Sequence, residues 1–159
     1  MKPTVYIETS VVSYLTSRPS RDTIIAGHQV ATQEFWALLN EKLEPYISDL
    51  VIQEAEKGNK NEARLRIMAI NNFAILDSDD EVKSLAKHIL DRKAVPSNHP
   101  EDAVHIAVAA VNGIDLIVTW NFKHINNPQM KFAIREAVEQ TGYRMPEICS
   151  PDELRGGIS

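Results

Sequence analysis

Four side chains that offer oxygen ligands follow predicted strands or lie in the turns beside them: Glu8, Glu54, Asp102 and Asn121. Carboxylates that converge raise one another's pKa, so three of them stay ionised together only beside a compensating cation. An all-oxygen set suits Mg²⁺ or Mn²⁺, which keep several of their water ligands. Such an ion can hold a phosphate oxygen, activate a water molecule and stabilise the leaving oxygen of a phosphodiester. The residue types therefore predict metal-assisted phosphodiester chemistry.

The histidine and cysteine residues disfavour zinc. His99, His105 and His124 do not form a ligand-spaced set with Cys149 in the sequence. Cys149 is the only cysteine, which excludes a disulfide within the chain and fits a reducing compartment. We expect it to be a small buried hydrophobic residue.

The elements that must position the oxygen ligands alternate between strand and helix patterns. Strand patterns occupy residues 4–7, 45–48, 73–76, 116–119 and 146–149. This alternation predicts an α/β fold with a parallel sheet and right-handed crossovers. Ligands of such sheets bind at the carboxyl edge of the strands, where the strand order reverses. Glu8 and the loop at 119–124 would meet there if the first and fourth strands are neighbours.

The helix pattern at 103–111 contains His105 as its only polar residue, so it should be packed on most of its surface. Asp102 stands at the mouth of this buried helix. A purely structural interpretation competes here, because Asn98 and Glu101 have the spacing of a capping box and acids favour the positive end of a helix. On this stretch alone, Asp102 is better explained as a first-turn acid than as a ligand.

Two further helix patterns make specific predictions about which side chains face inward. Glu54 and Glu56 lie two residues apart, hence on different faces, and at most one should look into a common site. The helix pattern at 61–71 is expected to turn Leu65, Met68 and Ala69 toward the core.

The composition indicates one globular domain over residues 1–159, with 43% hydrophobic and 25% charged residues. The formal net charge of −5 argues against binding nucleic acid through bulk charge, so any such contact should be local. No apolar run approaches transmembrane length, and the first residues lead into a strand pattern rather than a signal peptide. We expect a cytoplasmic protein without a membrane anchor.

Four short motifs resemble, in order and in spacing, the successive motifs of the PIN-domain family across residues 4–122. They are Ile7-Glu8-Thr9-Ser10, Val51-Ile52-Gln53-Glu54 followed by Gly58, Asp102-Ala103 leading into His105-Ile106-Ala107, and Leu116-Ile117-Val118-Thr119-Trp120-Asn121-Phe122. Within that family the chain resembles VapC-type toxins of bacterial toxin–antitoxin pairs.

The resemblance implies a three-layer α/β/α sandwich around a mostly parallel sheet of about five strands. It also implies an endoribonuclease that depends on Mg²⁺ or Mn²⁺, a homodimer, and a cognate antitoxin as partner. The motifs match Glu8, Glu54, Asp102 and Asn121 to the family's acidic positions. Glu8 and Asn121 both stand where aspartate is common, and Asn121 removes one negative charge, which should weaken cation binding. A silent module that binds RNA or an antitoxin without cleaving is therefore the alternative; a small-molecule domain ranks last, because no Gly-rich phosphate loop follows a strand.

Candidate substrate contacts lie around these ligands, each with a structural alternative. The candidates are Thr9, Arg18, Arg21, His105 and Lys123. For the arginines and Lys123, an ordinary surface position explains the charge as well as a phosphate contact does. His105 is more easily explained as a hydrogen-bonded core histidine. Trp120 suits either stacking on a base or anchoring the core.

Overall fold

The central sheet contains five parallel strands, each within one residue of the stretch that the sequence pattern predicts. The computed structural model describes residues 1–157. The strand order is β3-β2-β1-β4-β5, and every neighbouring pair is parallel. The strands are β1 (Thr4–Ile7), β2 (Glu44–Ser48), β3 (Ala74–Leu76), β4 (Leu116–Val118) and β5 (Glu147–Cys149).

The strand order reverses between β1 and β4, as the sequence argument required. From β1 the chain proceeds through β2 to β3 on one side, and then returns to add β4 and β5 on the other. Ile7 pairs with Val118 in the register of these two strands. Val5, Tyr6 and Ile7 are all fully buried, which is typical of a central parallel strand covered on both faces. The residues that follow β1 and β4 therefore emerge side by side.

The helices form two groups, one on each face of the sheet. Right-handed crossovers put the connections leading to β3 on one face and those leading back to β4 and β5 on the other. In agreement, α1 contacts α2, α3 and α4, α2 contacts α8, and α5 contacts α6 and α7. The fold is therefore the three-layer α/β sandwich. The helices are α1 (Thr9–Thr16), α2 (Thr23–Lys42), α3 (Asp49–Ala55), α4 (Lys60–Ile70), α5 (Asp80–Asp91), α6 (Pro100–Val111), α7 (Pro128–Glu139) and α8 (Pro151–Gly157).

Membrane insertion through a helix is not supported by the part of the chain that the structure describes. Across residues 1–157, no helix combines the length and the apolar character needed to cross a bilayer.

The capping box predicted for α6 is absent. His99, not Asn98, is the N-cap residue, and its side chain makes no capping hydrogen bond. Glu101 points back toward His99 instead, with its Oε1 atom 3.3 Å from His99 Nδ1. The prediction failed because Asn98 lies one residue too early to cap this helix.

The inward face predicted for α4 is wrong at two of its three residues, since only Ala69 is half-buried and packs against the core. Leu65 is 46% exposed and Met68 is 61% exposed. The face that packs inward instead carries Ala63, Ile67 and Ile70, which are buried or half-buried at intervals of four and three residues. Several apolar residues on this helix fit a helical period, and neighbouring helices rather than local pattern decide which set is covered.

Ile117 and Ile75 form a matched pair for testing the core of the sheet. Ile117 in β4 is fully buried, whereas Ile75 in β3 is 53% exposed. Ile117→Ala should lower the free energy of unfolding by about 2–5 kcal/mol, because it removes buried methyl groups and leaves a cavity. Ile75→Ala should cost less than about 1 kcal/mol. Urea unfolding of both variants measures the difference, and equal losses would contradict the sheet order.

Candidate metal centre

Glu8 is held between the two strands at which the sheet order reverses. Its backbone N–H donates to Val118 O at 3.1 Å, which continues the pairing of β1 with β4 by one residue. Its side chain is buried, and Oε1 accepts hydrogen bonds from Thr119 Oγ1 at 2.6 Å and from Ser10 Oγ. Ser10 Oγ in turn accepts from the Trp120 backbone N–H at 2.9 Å. Hydroxyl groups from both sides of the reversal thus fix the Glu8 carboxylate.

Glu54 reaches the same edge from α3. Its Oε1 atom accepts from Thr9 Oγ1 at 2.5 Å and from His105 Nε2 at 2.8 Å. The same His105 atom lies 3.9 Å from Glu8 Oε2, so His105 stands between the two carboxylates. Glu56 is exposed, which agrees with the expectation that at most one of the two glutamates faces the site.

His105 is held from behind by buried hydroxyl groups. Its Nδ1 atom lies 2.6 Å from the Tyr6 hydroxyl, which lies 2.8 Å from Ser48 Oγ. Ser48 Oγ also accepts from the Val51 backbone N–H at 3.2 Å. Tyr6, Ser48 and His105 are each at most 1% exposed. A chain of hydrogen bonds therefore runs from the N-terminus of α3 through the centre of the sheet to Glu54.

The pKa values around His105 reflect this crowding of charge. Burial acts to lower the pKa of His105, but the hydrogen bond to Glu54 and the charges of Glu8, Glu54 and Asp102 outweigh it and raise that pKa above its ordinary value. Burial likewise acts to raise the pKa of Glu54, yet the hydrogen bond and charge of His105 leave it lowered. Two carboxylates thus lie against one imidazole, and the charge of Asp102 adds to their effect.

Asp102 lies one helical turn before His105 on α6 and is held by the loop that follows β4. Its Oδ2 atom accepts from His124 Nδ1 at 2.9 Å, and its Oδ1 atom accepts from Asn121 Nδ2 at 3.2 Å. Burial raises the pKa of Asp102, and the bond from His124 offsets only part of that effect. The side chain of Asp102 is 8% exposed. Its carboxylate is engaged across the site rather than by the backbone at the helix N-terminus.

Asn121 occupies a supporting position beside Asp102. Its amide N–H donates to Asp102, and its Oδ1 atom accepts from the backbone N–H of His124 at 2.9 Å. The side chain therefore closes the turn after β4 and orients an acid.

The candidate substrate contacts occupy different environments. Thr9 donates to Glu54, and His105 is buried. Arg18, Arg21 and Lys123 are exposed.

Trp120 anchors the core. It is 6% exposed, it stacks on His28 with ring centroids 4.0 Å apart, and its indole N–H donates to Thr32 Oγ1 at 2.8 Å. Its neighbour Phe122, in contrast, is 44% exposed.

Two of the histidines that the sequence separates come together in space. His99 and His124 lie with ring centroids 4.4 Å apart, and both adjoin Asp102. Sequence spacing does not indicate this meeting, because helix α6 and strand β4 separate the two residues. His105 belongs to the other group, with Glu8 and Glu54. Cys149 is buried as predicted, and burial raises the pKa of its thiol to about 12.

The Tyr6 hydroxyl can be removed without altering the shape of the site. Tyr6→Phe should lower the free energy of unfolding by about 1–3 kcal/mol, because it deprives two buried groups, His105 Nδ1 and Ser48 Oγ, of their shared partner. Tyr46, its neighbour in the β1–β2 register, is the matched control, since its hydroxyl bonds to Glu44 at the exposed surface. Tyr46→Phe should change stability by less than about 0.5 kcal/mol. Chemical denaturation of both variants decides, and similar losses would contradict a structural role for the buried chain.

The chain is similar to a protein-family model and to chains of two solved structures. No curated protein matches the sequence significantly. A chain in the crystal structure of VapBC2 from Rickettsia felis bound to a DNA fragment from their promoter is similar with a TM-score of 0.60 at 14% identity, over 92% of this chain and 97% of that one. A chain of tyrosyl-tRNA synthetase from Archaeoglobus fulgidus, complexed with L-tyrosine, has a TM-score of 0.48 at 14% identity, over 92% and 54%. The family model for the PIN domain matches residues 5–126, so the chain belongs to the PIN domain family.

Proposed function

We propose that the protein is a Mg²⁺- or Mn²⁺-dependent endoribonuclease and the toxin of a toxin–antitoxin pair. The observation that carries this proposal is the placement of Glu8 and Glu54 against His105, with Asp102 one helical turn before it on α6, at the carboxyl edge of β1 and β4. Proteins of the PIN family are generally nucleases. The similar fold in the VapBC2 structure supports the toxin–antitoxin part of the proposal.

The residues at this edge fit a hard divalent cation. Glu8 and Glu54 are surrounded by hydroxyl and imidazole donors, and no lysine or arginine pairs with either of them among the described residues. Carboxylate oxygens are the ligands that Mg²⁺ and Mn²⁺ prefer. Glu8, Glu54 and Asp102 would hold the ion, with Asn121 beside them. When bound, the ion would supply an activated water and stabilise charge on the phosphate.

The chain's own side chains would keep these ligands in position during the reaction. Thr119 and Ser10 hold Glu8, while Thr9 and His105 hold Glu54. Each carboxylate thus has hydrogen bonds that restrict its rotation before substrate arrives, which reduces the cost of assembling the site. His105 acts here as a positioning residue. It is 1% exposed, so it would affect the substrate only by orienting the groups that it contacts, such as Glu54.

RNA would contact the protein locally rather than through its overall charge. The exposed Arg18, Arg21 and Lys123 are the proposed phosphate contacts, since cationic side chains bind phosphates without reading sequence. A cognate antitoxin and a second copy of the chain are the other proposed partners, and the cytoplasm is the proposed compartment.

Asp102→Asn tests the proposed activity directly. Purified protein with Mg²⁺ or Mn²⁺ should cleave single-stranded or structured RNA, and Asp102→Asn should reduce the rate at least about 100-fold, since even outer-shell partners of a metal are worth 10- to 100-fold. Asp80→Asn is the matched control, because Asp80 is also a first-turn acid but is exposed on α5. Gel assays of labelled RNA measure both rates. Equal cleavage by Asp102→Asn would assign the activity to a contaminant or to another site.

Asn121 favours the competing proposal of a silent binding module. Neither of its amide atoms carries a charge, and both already make hydrogen bonds within the protein. The proposed nuclease therefore has one carboxylate fewer than its family pattern, and a module that binds RNA or an antitoxin without cutting would tolerate this loss.

Asn121→Asp separates the two proposals. With the charge restored, Mg²⁺ should bind more tightly, by up to about tenfold, because ligand charge sets the affinity of such sites. Without metal the variant should melt at a lower temperature, since two carboxylates then face each other in place of an amide and a carboxylate. Calorimetric Mg²⁺ titration and thermal melts provide the readouts. Asn61→Asp, at an exposed position of α4, is the charge control. If only Asn121→Asp binds Mg²⁺, the natural protein is the silent module.

A further inference from the structure

We propose a second metal site, formed by His99, Asp102 and His124, that binds a divalent transition ion of the Zn²⁺ class. This site has nitrogen and oxygen ligands, and it shares only Asp102 with the oxygen-rich site to which Glu8 and Glu54 contribute. The proposal goes beyond ribonuclease activity and does not require it.

The three side chains come from separate segments that meet at one point. His99 is the N-cap of α6, Asp102 lies in its first turn, and His124 lies in the loop after β4. One ligand atom from each lies within 4.8 Å of the others. Ligand atoms on a tetrahedral zinc ion, with bonds of about 2.0–2.1 Å, lie roughly 3.3 Å apart. Small side-chain movements would therefore close this set around an ion.

The direct contact between Asp102 and His124 already has a suitable separation. Asp102 Oδ2 and His124 Nδ1 are 2.9 Å apart, and the rings of His124 and His99 are 4.4 Å apart. If an ion took the place of the proton between His124 Nδ1 and Asp102 Oδ2, the distance between these two atoms would need to increase only slightly. Two imidazoles and one carboxylate would leave a fourth position open, as in catalytic zinc sites.

Neighbouring side chains supply the outer shell that metal-binding groups usually have. Glu101 Oε1 lies 3.3 Å from His99 Nδ1, which leaves the other ring nitrogen of His99 available for an ion. Asn121 donates to Asp102 Oδ1 at 3.2 Å and thereby orients that carboxylate. Carboxylates that hold a ligand histidine, and donors that hold a ligand carboxylate, are the recurring outer-shell partners of metal sites. Two of the three proposed ligands, His99 and Asp102, therefore have an outer-shell partner.

Ligand chemistry and access distinguish this site from the oxygen-rich one. Imidazole nitrogen suits zinc, copper, iron and nickel, whereas Mg²⁺ is bound by oxygen. The side chain of His99 is 42% exposed, and those of His124 and Asp102 are 14% and 8% exposed. An ion can thus reach the cluster from solvent on the His99 side while the other two ligands stay largely shielded.

Cobalt titration of the intact protein tests the site. Co²⁺ is the probe, because its visible absorption reports nitrogen ligands and coordination geometry. The natural protein should show a saturable visible band, and His99→Asn and His124→Asn should each weaken Co²⁺ and Zn²⁺ binding at least about tenfold, since loss of an outer-shell partner alone costs that much. Asparagine at position 124 retains an N–H donor for Asp102. His88→Asn, at a half-buried histidine on α5 that lies apart from this cluster, should bind both ions like the natural protein.

The outcomes separate this site from the proposed ribonuclease. Circular dichroism melts show that each variant is folded before it is titrated. The second metal site would be overturned if both folded variants bound Co²⁺ as tightly as the natural protein, or if the natural protein showed no visible band. Either result would hold independently of the RNA cleavage assay. Cleavage is assayed separately in Mg²⁺ after removal of transition ions with a chelating resin. If the natural protein shows the cobalt band but does not cleave RNA in Mg²⁺, the proposed ribonuclease activity is overturned and the second metal site is not.

Discussion

The parallel pairing of β1 with β4 is the constraint on which the rest of the site depends. Ile7 pairs with Val118, and the bond from the Glu8 N–H to Val118 O carries the ladder one residue beyond the strands. That single step puts the Glu8 carboxylate within reach of the Thr119 hydroxyl. Asp102 lies on the helix that leads into β4, and Asn121 and His124 lie in the turn that follows β4. A shift in this register would therefore separate Glu8 from all three.

The buried polar chain behind the site explains how charge is tolerated so close to the core. An unpaired imidazole or hydroxyl at the centre of the sheet would be costly, but Tyr6, Ser48 and His105 satisfy one another. His105 then meets Glu54 with a bond that favours the charged form of the carboxylate. These buried polar groups hold His105 and, through it, Glu54, so the geometry of the candidate ligands is tied to the folding of the central strands.

The fold was predictable to a greater depth than the site. Strand positions follow from apolar runs and their alternation with helices, which are properties of local sequence. The reversal beside β1 was expected from the general rule for open parallel sheets and from no local pattern. The partners of α4 are not local, so Leu65 and Met68 were assigned to the core although they are exposed. The meeting of His99 with His124 was also hidden, since it depends on how the first turn of α6 faces the loop after β4. Pairings between loops leave no periodic trace in a sequence.

Asn121 and His124 determine how the turn after β4 contacts Asp102. In a site built from carboxylates alone, replacing an acid by an amide is a loss, because it removes charge from the cation's surroundings. Here the amide donates to Asp102 and accepts from the backbone of His124, so it fixes the acid and the imidazole relative to each other. An aspartate at position 121 could accept the same backbone bond but could not donate to Asp102. Asn121 thus holds Asp102 and His124 together, which is the arrangement that the proposed site for a nitrogen-preferring ion would need.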